Sequence, residues 1–165
     1  MKVALIMGSD SDLTRLRPCL DALQELDIAC EARVLSAHRT PAALVQFLSD
    51  ATEAGVKVFM CAAGGAAHLA GVVAAHTDLP VIGIPMDNEP LGGLDALLAT
   101  VQMPAGVPVA SVAVGGGGPA NAALFAARIL AISNPELAAR VAKFREGQAA
   151  KVVQKNEKLQ AALQS

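Results

Sequence analysis

Aromatic side chains are nearly missing from this chain, which has no tryptophan, no tyrosine and only four phenylalanines in 165 residues. A core without large rings has to be filled by Ala, Val, Leu and Ile on closely approaching elements, which suits layered α/β packing. With no Trp or Tyr to stack on an isoalloxazine ring, a flavin carrier is disfavoured. Charge is also sparse: 17% of residues are charged, the net charge is -2, and no run of Lys or Arg occurs. The electrostatic footprint of a nucleic-acid binder is therefore missing.

Cysteine is scarce as well. Cys19, Cys30 and Cys61 are odd in number and widely spaced, with no C-x-x-C pair, which argues against a disulfide framework and a zinc site and fits inert thiols in a reducing compartment. No cluster of His, Cys or carboxylates has metal-ligand spacing, so no metal is expected. The G-x-S-x-G elbow of a serine hydrolase does not occur. No uninterrupted apolar stretch reaches the roughly 18 residues that a membrane span needs, and the opening MKVALIMG reads as a strand without a signal-peptide pattern. A cytoplasmic protein with no membrane partner is expected.

What the chain does have is a 53% apolar fraction, enough to bury one continuous core, so residues 1–165 read as a single domain. Short β-branched runs at 2–7, 28–35, 57–62, 81–84 and 107–114 alternate with Ala/Leu-rich helical patterns at 12–26, 41–54, 66–75, 92–101 and 119–131. Strict alternation of this kind predicts a five-stranded parallel sheet covered on both faces, with right-handed crossovers. Thr40-Pro41 and Asn134-Pro135 look like N-caps followed by proline at the first helical position. Pro18 falls inside the first helical pattern, so that helix is expected to start late or kink there.

Beyond an α/β core at 1–133, residues 134–165 form a polar helix with a narrow apolar stripe of Leu137, Val141, Phe144, Val152, Leu159 and Leu163. At full length it would reach about 40 Å. Either it packs on a neighbouring subunit, which makes the protein a homo-oligomer, or it is a frayed, solvated tail, a reading that Gly147 favours.

In an open parallel sheet, ligands bind outside the carboxyl ends of the strands. After the first strand comes Gly8-Ser9-Asp10-Ser11-Asp12, whose hydroxyls and backbone N–H groups either cap a helix or receive an anion, while Asp12 suits paired sugar hydroxyls. After the second comes Ser36-Ala37-His38-Arg39-Thr40-Pro41, with an imidazole fit to move protons near neutral pH beside a guanidinium able to grip phosphate. After the third, Gly64-Gly65-Ala66 lets backbone approach a flat ligand, and His68 either contacts that ligand or is hydrogen-bonded to a neighbouring loop. His76, at the far end of the same helical pattern, makes a favourable dipole contact. The glycine run at 115–118 lacks dinucleotide-binding spacing and reads as a flexible turn or lid.

The segments MGSDSD, SAHRTP, AAGGAAHLAG, TVQMPAGVPV and NAALFAARIL, in unbroken order from about residue 2 to 146, resemble those of the N5-carboxyaminoimidazole ribonucleotide mutase family, the catalytic subunit of phosphoribosylaminoimidazole carboxylase. The resemblance implies a flavodoxin-like αβα sandwich, an octamer with active sites where subunits meet, and an isomerase of purine biosynthesis that needs no cofactor. Its ribonucleotide substrate would come from a separate ATP-dependent synthase. By the same resemblance Ser9 and Asp12 bind substrate, with Asp12 on the ribose. Arg39, helped by Ser11 and Ser36 beside Ala37, holds the 5′-phosphate. His38 is the general acid and base, and Gly64, Gly65, Ala66 and His68 wall the imidazole and carboxylate pocket. A second branch of the family uses free carbon dioxide and carries Lys after the loop histidine, so Arg39 and His68 point to the mutase branch. A non-catalytic nucleotide-binding domain of this fold would have no need of both His38 and Arg39. Two departures stand out: Ala70 replaces the usual Pro, and Met86-Asp87-Asn88-Glu89-Pro90 is more acidic than expected, so that Asp87 and Glu89 would repel an anionic substrate if the stretch borders the pocket.

Overall fold

A computed structural model describes residues 1–164. Five strands, β1 (Lys2–Met7), β2 (Ala29–Val34), β3 (Val56–Ala63), β4 (Val81–Pro85) and β5 (Ala110–Ser111), form one parallel sheet in the order β2-β1-β3-β4-β5. The helices are α1 (Leu13–Glu25), α2 (Pro41–Glu53), α3 (Leu69–Ala74), α4 (Leu94–Val101), α5 (Gly118–Ala131) and α6 (Pro135–Leu163). This strand order reverses direction between β1 and β3, the switch point at which a crevice opens at the carboxyl end of the sheet.

Period-two alternation builds the two core layers. Val3, Leu5 and Met7 of β1, with Val58, Met60 and Ala62 of β3, face α1 and α5. Ala4 and Ile6, with Phe59 and Cys61, face α2 and α3. A strand buried on both sides must be apolar throughout, which is why β1 and β3 carry almost no polar residue. Ala122, Ala123, Ala126 and Ala127 of α5 are fully buried, and their small side chains let that helix lie close to the sheet and to α1.

The elements depart from the sequence pattern in four places. Helix α1 begins at Leu13 and runs through Pro18. The bond missing there, to the Thr14 carbonyl, is outweighed by the burial of Leu16, Cys19, Ala22 and Leu23 on one face. Helix α3 is shorter than its pattern, because 65–68 form tight turns with Ala67 N–H donating to the Gly65 carbonyl and His68 N–H to that of Ala66. Helix α4 starts only at Leu94, since Gly92 and Gly93 have φ of +56° and +83°, outside the helical region. A side chain at Gly93 would also strike Val114 and the Met86 carbonyl. Finally, β5 keeps two ladder residues of the eight expected; Pro108 has no N–H to donate just ahead of them.

Helix α6 is continuous over 29 residues, about 43 Å, and passes through Gly147. Asn134 caps it by accepting from the Leu137 N–H at 2.9 Å. Leu137 is buried, Val141 and Phe144 pack on the core, and Arg140 Nε donates to the Leu26 carbonyl at the end of α1. Beyond Glu146 every described residue is exposed. Among the described residues no helix is long and apolar enough to cross a membrane.

Candidate active site

Loops from the carboxyl ends of β1, β2, β3 and β4 enclose a pocket of about 240 Å³ at the switch point. From the first loop come Gly8, Ser9, Ser11 and Asp12; from the second Ser36, Ala37, His38 and Arg39; from the third Ala63, Gly64 and Ala66. Leu69 forms an apolar part of the wall, and Asn88 closes the side nearest β4. Gly65 and His68 lie outside this lining, although both belong to the third loop. A larger cleft of about 500 Å³ opens at the opposite, amino end of β4 near Leu79, Pro80 and Phe125; it lacks convergent polar side chains and carries no comparable chemistry.

The Ser-Asp loop divides its work. Ser9 Oγ caps the short 3-10 turn at Asp10–Asp12 by accepting from the Ser11 N–H at 3.3 Å, and it lies 2.8 Å from Ser11 Oγ. Asp12, by contrast, makes no capping bond although it occupies the N-cap of α1. Its side chain is buried at the pocket wall, where desolvation pushes the carboxyl above its ordinary range and the Arg15 charge draws it partly back. A carboxylate held in this state is available to accept hydroxyl groups of a ligand.

The SAHRTP loop is tied down from within. Thr40 Oγ1 donates to the Ser36 carbonyl and accepts from the Ser36 N–H, while Ser36 Oγ accepts from the Arg39 N–H. The Thr40 hydroxyl thus closes the loop instead of capping α2, a correction to the simple N-cap reading. Arg39 Nη2 reaches the Gly8 carbonyl at 3.3 Å, which ties the loop after β2 to the loop after β1 and leaves the other guanidinium donors for an anion. His38 Nε2 lies 2.8 Å from His68 Nδ1, with the two rings nearly perpendicular. The hydrogen-bonded reading of His68 therefore holds, and its partner is the loop imidazole itself.

Sequence reasoning missed Arg15 and Asn88. Arg15 Nη1 donates to Asn88 Oδ1 at 2.6 Å, and its Nε lies 3.5 Å from Asp87 Oδ1. The signal was the same rule that located the other loops: β4 also has a carboxyl end, and 86–90 follow it. Of that acidic stretch only Asn88 lines the pocket; Asp87 and Glu89 lie outside the lining, and Asp87 is ion-paired with Arg15. The glycines at 115–118 sit outside the pocket lining; Gly115 and Gly116, at φ of +53° and +48°, turn the chain into α5, with Gly115 packed against Asp87. His76 Nδ1 donates to the Val72 carbonyl at 2.8 Å at the end of α3, the dipole contact expected of it.

With that geometry established, the comparisons decide the family. The sequence profile described as AIR carboxylase matches residues 2–151. The chain belongs to the AIR carboxylase family. Within it, the N5-carboxyaminoimidazole ribonucleotide mutase of Mycobacterium tuberculosis is 52% identical over 159 residues, covering 96% of this chain and 90% of that protein. The protein of the same name from Saccharolobus solfataricus is 52% identical over 145 residues, covering 88% and 90%. The crystal structure of Treponema denticola PurE superposes with a TM-score of 0.87 at 30% identity, over 96% of this chain and 98% of that one. The flavodoxin-like strand order of this chain accords with that fold-level likeness.

Proposed function

We propose that this protein is an isomerase converting N5-carboxyaminoimidazole ribonucleotide into 4-carboxy-5-aminoimidazole ribonucleotide in purine biosynthesis, with His38 as the proton carrier. The observation that carries the reading is the convergence of His38, Arg39, Ser9 and Asp12 on one pocket at the β1/β3 switch point. Arg39, with Ser11 and Ser36, holds the 5′-phosphate; Asp12 accepts the ribose hydroxyls; Gly64 and Ala66 flank the imidazole, with Gly65 in the turn between them. The carbamate N–C bond breaks to release carbon dioxide while His38 gives a proton to the exocyclic amine. Carbon C4 of the ring then forms a bond to the trapped carbon dioxide, and His38 recovers a proton from C4. Reactant and product are isomers, and the imidazole ends as it began, so no further reagent is consumed. His38 Nε2 is engaged by His68, which leaves Nδ1 for the substrate.

The whole chain acts as one mutase domain, with a core at 1–133 followed by helix α6, which meets a neighbouring subunit. A homo-oligomer, an octamer by resemblance to the family, is supported by that exposed helix together with the exposed apolar side chains of Leu91, just ahead of α4, and of Leu94, Leu98 and Val101 along it. The protein works in the cytoplasm and takes its substrate from an ATP-dependent synthase.

The test follows the purified protein with N5-carboxyaminoimidazole ribonucleotide and watches for the 4-carboxy product in the absence of ATP. Turnover is expected, and His38→Asn should abolish it while substrate still binds. Full activity in that variant overturns the role of His38. Turnover only from aminoimidazole ribonucleotide plus bicarbonate places the protein in the carboxylase branch instead.

A further inference from the structure

Asn88 stands on a loop that contributes no residue to the mechanism above, yet its side-chain amide lines the pocket and is hydrogen-bonded to Arg15. Arg15 has only donors, so the amide atom 2.6 Å from its Nη1 must be the oxygen. The side chain is thereby oriented with Nδ2 toward Gly64: a Cβ built on that glycine would lie 2.0 Å from Nδ2 and 2.8 Å from Cγ. A side chain at position 64 would therefore displace the Asn88 amide from this position. Asp87, the preceding residue, is ion-paired with the Nε edge of the same guanidinium at 3.5 Å. Among the described residues, nothing within the chain accepts from the two Nδ2 hydrogens. They form a preorganised donor pair on the wall shared with Gly64, in a pocket whose phosphate-binding cation, Arg39, comes from a different loop.

We propose that Asn88, clamped by Arg15, is a specificity-determining residue that donates to the carboxylate of the nucleotide at the imidazole end of the pocket. The proposal rests on the mutase reading, because it is that reading which puts the imidazole and its carboxylate beside Gly64. Chemically, a carboxylate fits better than a hydroxyl. An amide with its oxygen occupied offers donors only, and a donor pair is most stabilised by an anion that can accept both. Arg15 is the positioning residue. It fixes which end of the amide faces the pocket, and it pairs with Asp87, whose charge would oppose an anionic group.

The experiment measures the affinity of two nucleotides that differ only in that group, 4-carboxy-5-aminoimidazole ribonucleotide and aminoimidazole ribonucleotide, by calorimetry on the full chain. Asn88→Ala should weaken the carboxylated nucleotide about tenfold or more and leave the uncarboxylated one within about twofold. Retained affinity for the latter also reports an intact fold. Asn88→Asp should lose more, since a second carboxylate then faces the ligand. Arg15→Ala should reproduce the selective loss, and Arg15→Lys, which can still donate to the amide oxygen, should recover most of it. An equal loss for both nucleotides, or none for either, overturns the assignment of Asn88 and leaves the mutase reading standing. Wild-type protein that binds neither nucleotide overturns that reading and this assignment together.

Discussion

His38 Nε2 and His68 Nδ1 share a hydrogen bond of 2.8 Å across two loops, with ring planes at 88°. One imidazole must donate and the other accept, so the tautomers of the two rings are coupled. His68 is exposed and outside the pocket lining, and its bond to His38 sets the orientation of that ring and the nitrogen it presents to a ligand. Replacing His68 with Ala should lower kcat about 10- to 100-fold with KM changed less than about threefold, because the lost contact positions the proton carrier and does not hold substrate. His68→Asn, which can keep a hydrogen bond, should retain more activity than His68→Ala. Steady-state kinetics across pH checks this, and a rise in KM at constant kcat would put His68 in substrate binding.

Asp12 sets stability against function. Burial raises its carboxyl above the ordinary value of 3.8, with the Arg15 charge only partly opposing. A raised value in the folded state means that its favourable contribution is complete below the unfolded value and is lost as pH climbs through the folded one. At neutral pH the ionised group therefore weighs against the fold. Asp12→Asn should raise the melting temperature of the ligand-free protein while weakening ribonucleotide binding about 10- to 100-fold, the effect of losing an ionised acceptor for the sugar hydroxyls. A thermal melt paired with a binding titration tests both halves, and a lower melting temperature contradicts the desolvation argument.

The same two facts mark how much could be read in advance. Strand β1 coincides with its predicted span, Lys2–Met7, because an apolar run buried on both faces leaves no choice of register. Ser9, Ser11, Asp12, Ser36, Ala37, His38, Arg39, Gly64 and Ala66 meet in one pocket because their loops all leave the carboxyl ends of adjacent strands. The His38–His68 bond was not legible: the residues are 30 positions apart, and only the packing of α2 and α3 against the sheet determines how close they come. Nothing local to Arg15 shows that the turn after β4 folds back to meet it, 73 positions away. Strand β5 and helix α4 were overextended because apolar pattern alone does not register positive φ at Gly92 and Gly93 or a missing donor at Pro108.

The three thiols should be silent toward alkylation in the native protein. Burial pushes Cys19 up to about 12 and Cys30 up to about 11, and it raises fully enclosed Cys61 further still. The thiolate is the reactive form, so at pH 8 the folded chain presents almost none. Iodoacetamide should modify no cysteine under native conditions and all three in denaturant, as read by mass spectrometry. The shifts also give the alkaline dependence its sign. Unfolded thiols ionise near 9.0, ahead of the folded ones, so the unfolded chain releases protons first and stability falls as pH rises beyond that point.

The distal half of α6 separates folding from assembly. Phe144 is the last apolar residue of the helix to pack on its own core, whereas Val152, Val153, Leu159 and Leu163 are between 55% and 72% exposed. A helix that projects four such side chains into water gains nothing from them within one chain, while burial against a neighbour is worth about 1 kcal/mol or more for each. Deleting 148–165 should therefore leave the circular dichroism of the core and its cooperative melt intact while converting the protein to smaller species in analytical ultracentrifugation. Activity should fall with assembly if adjacent subunits complete the pocket, and activity restored at high protein concentration would confirm that association is the missing step. A truncated chain that sediments like the full-length protein would assign the oligomer contacts to another surface, for which the exposed leucines of α4 are the next residues to substitute.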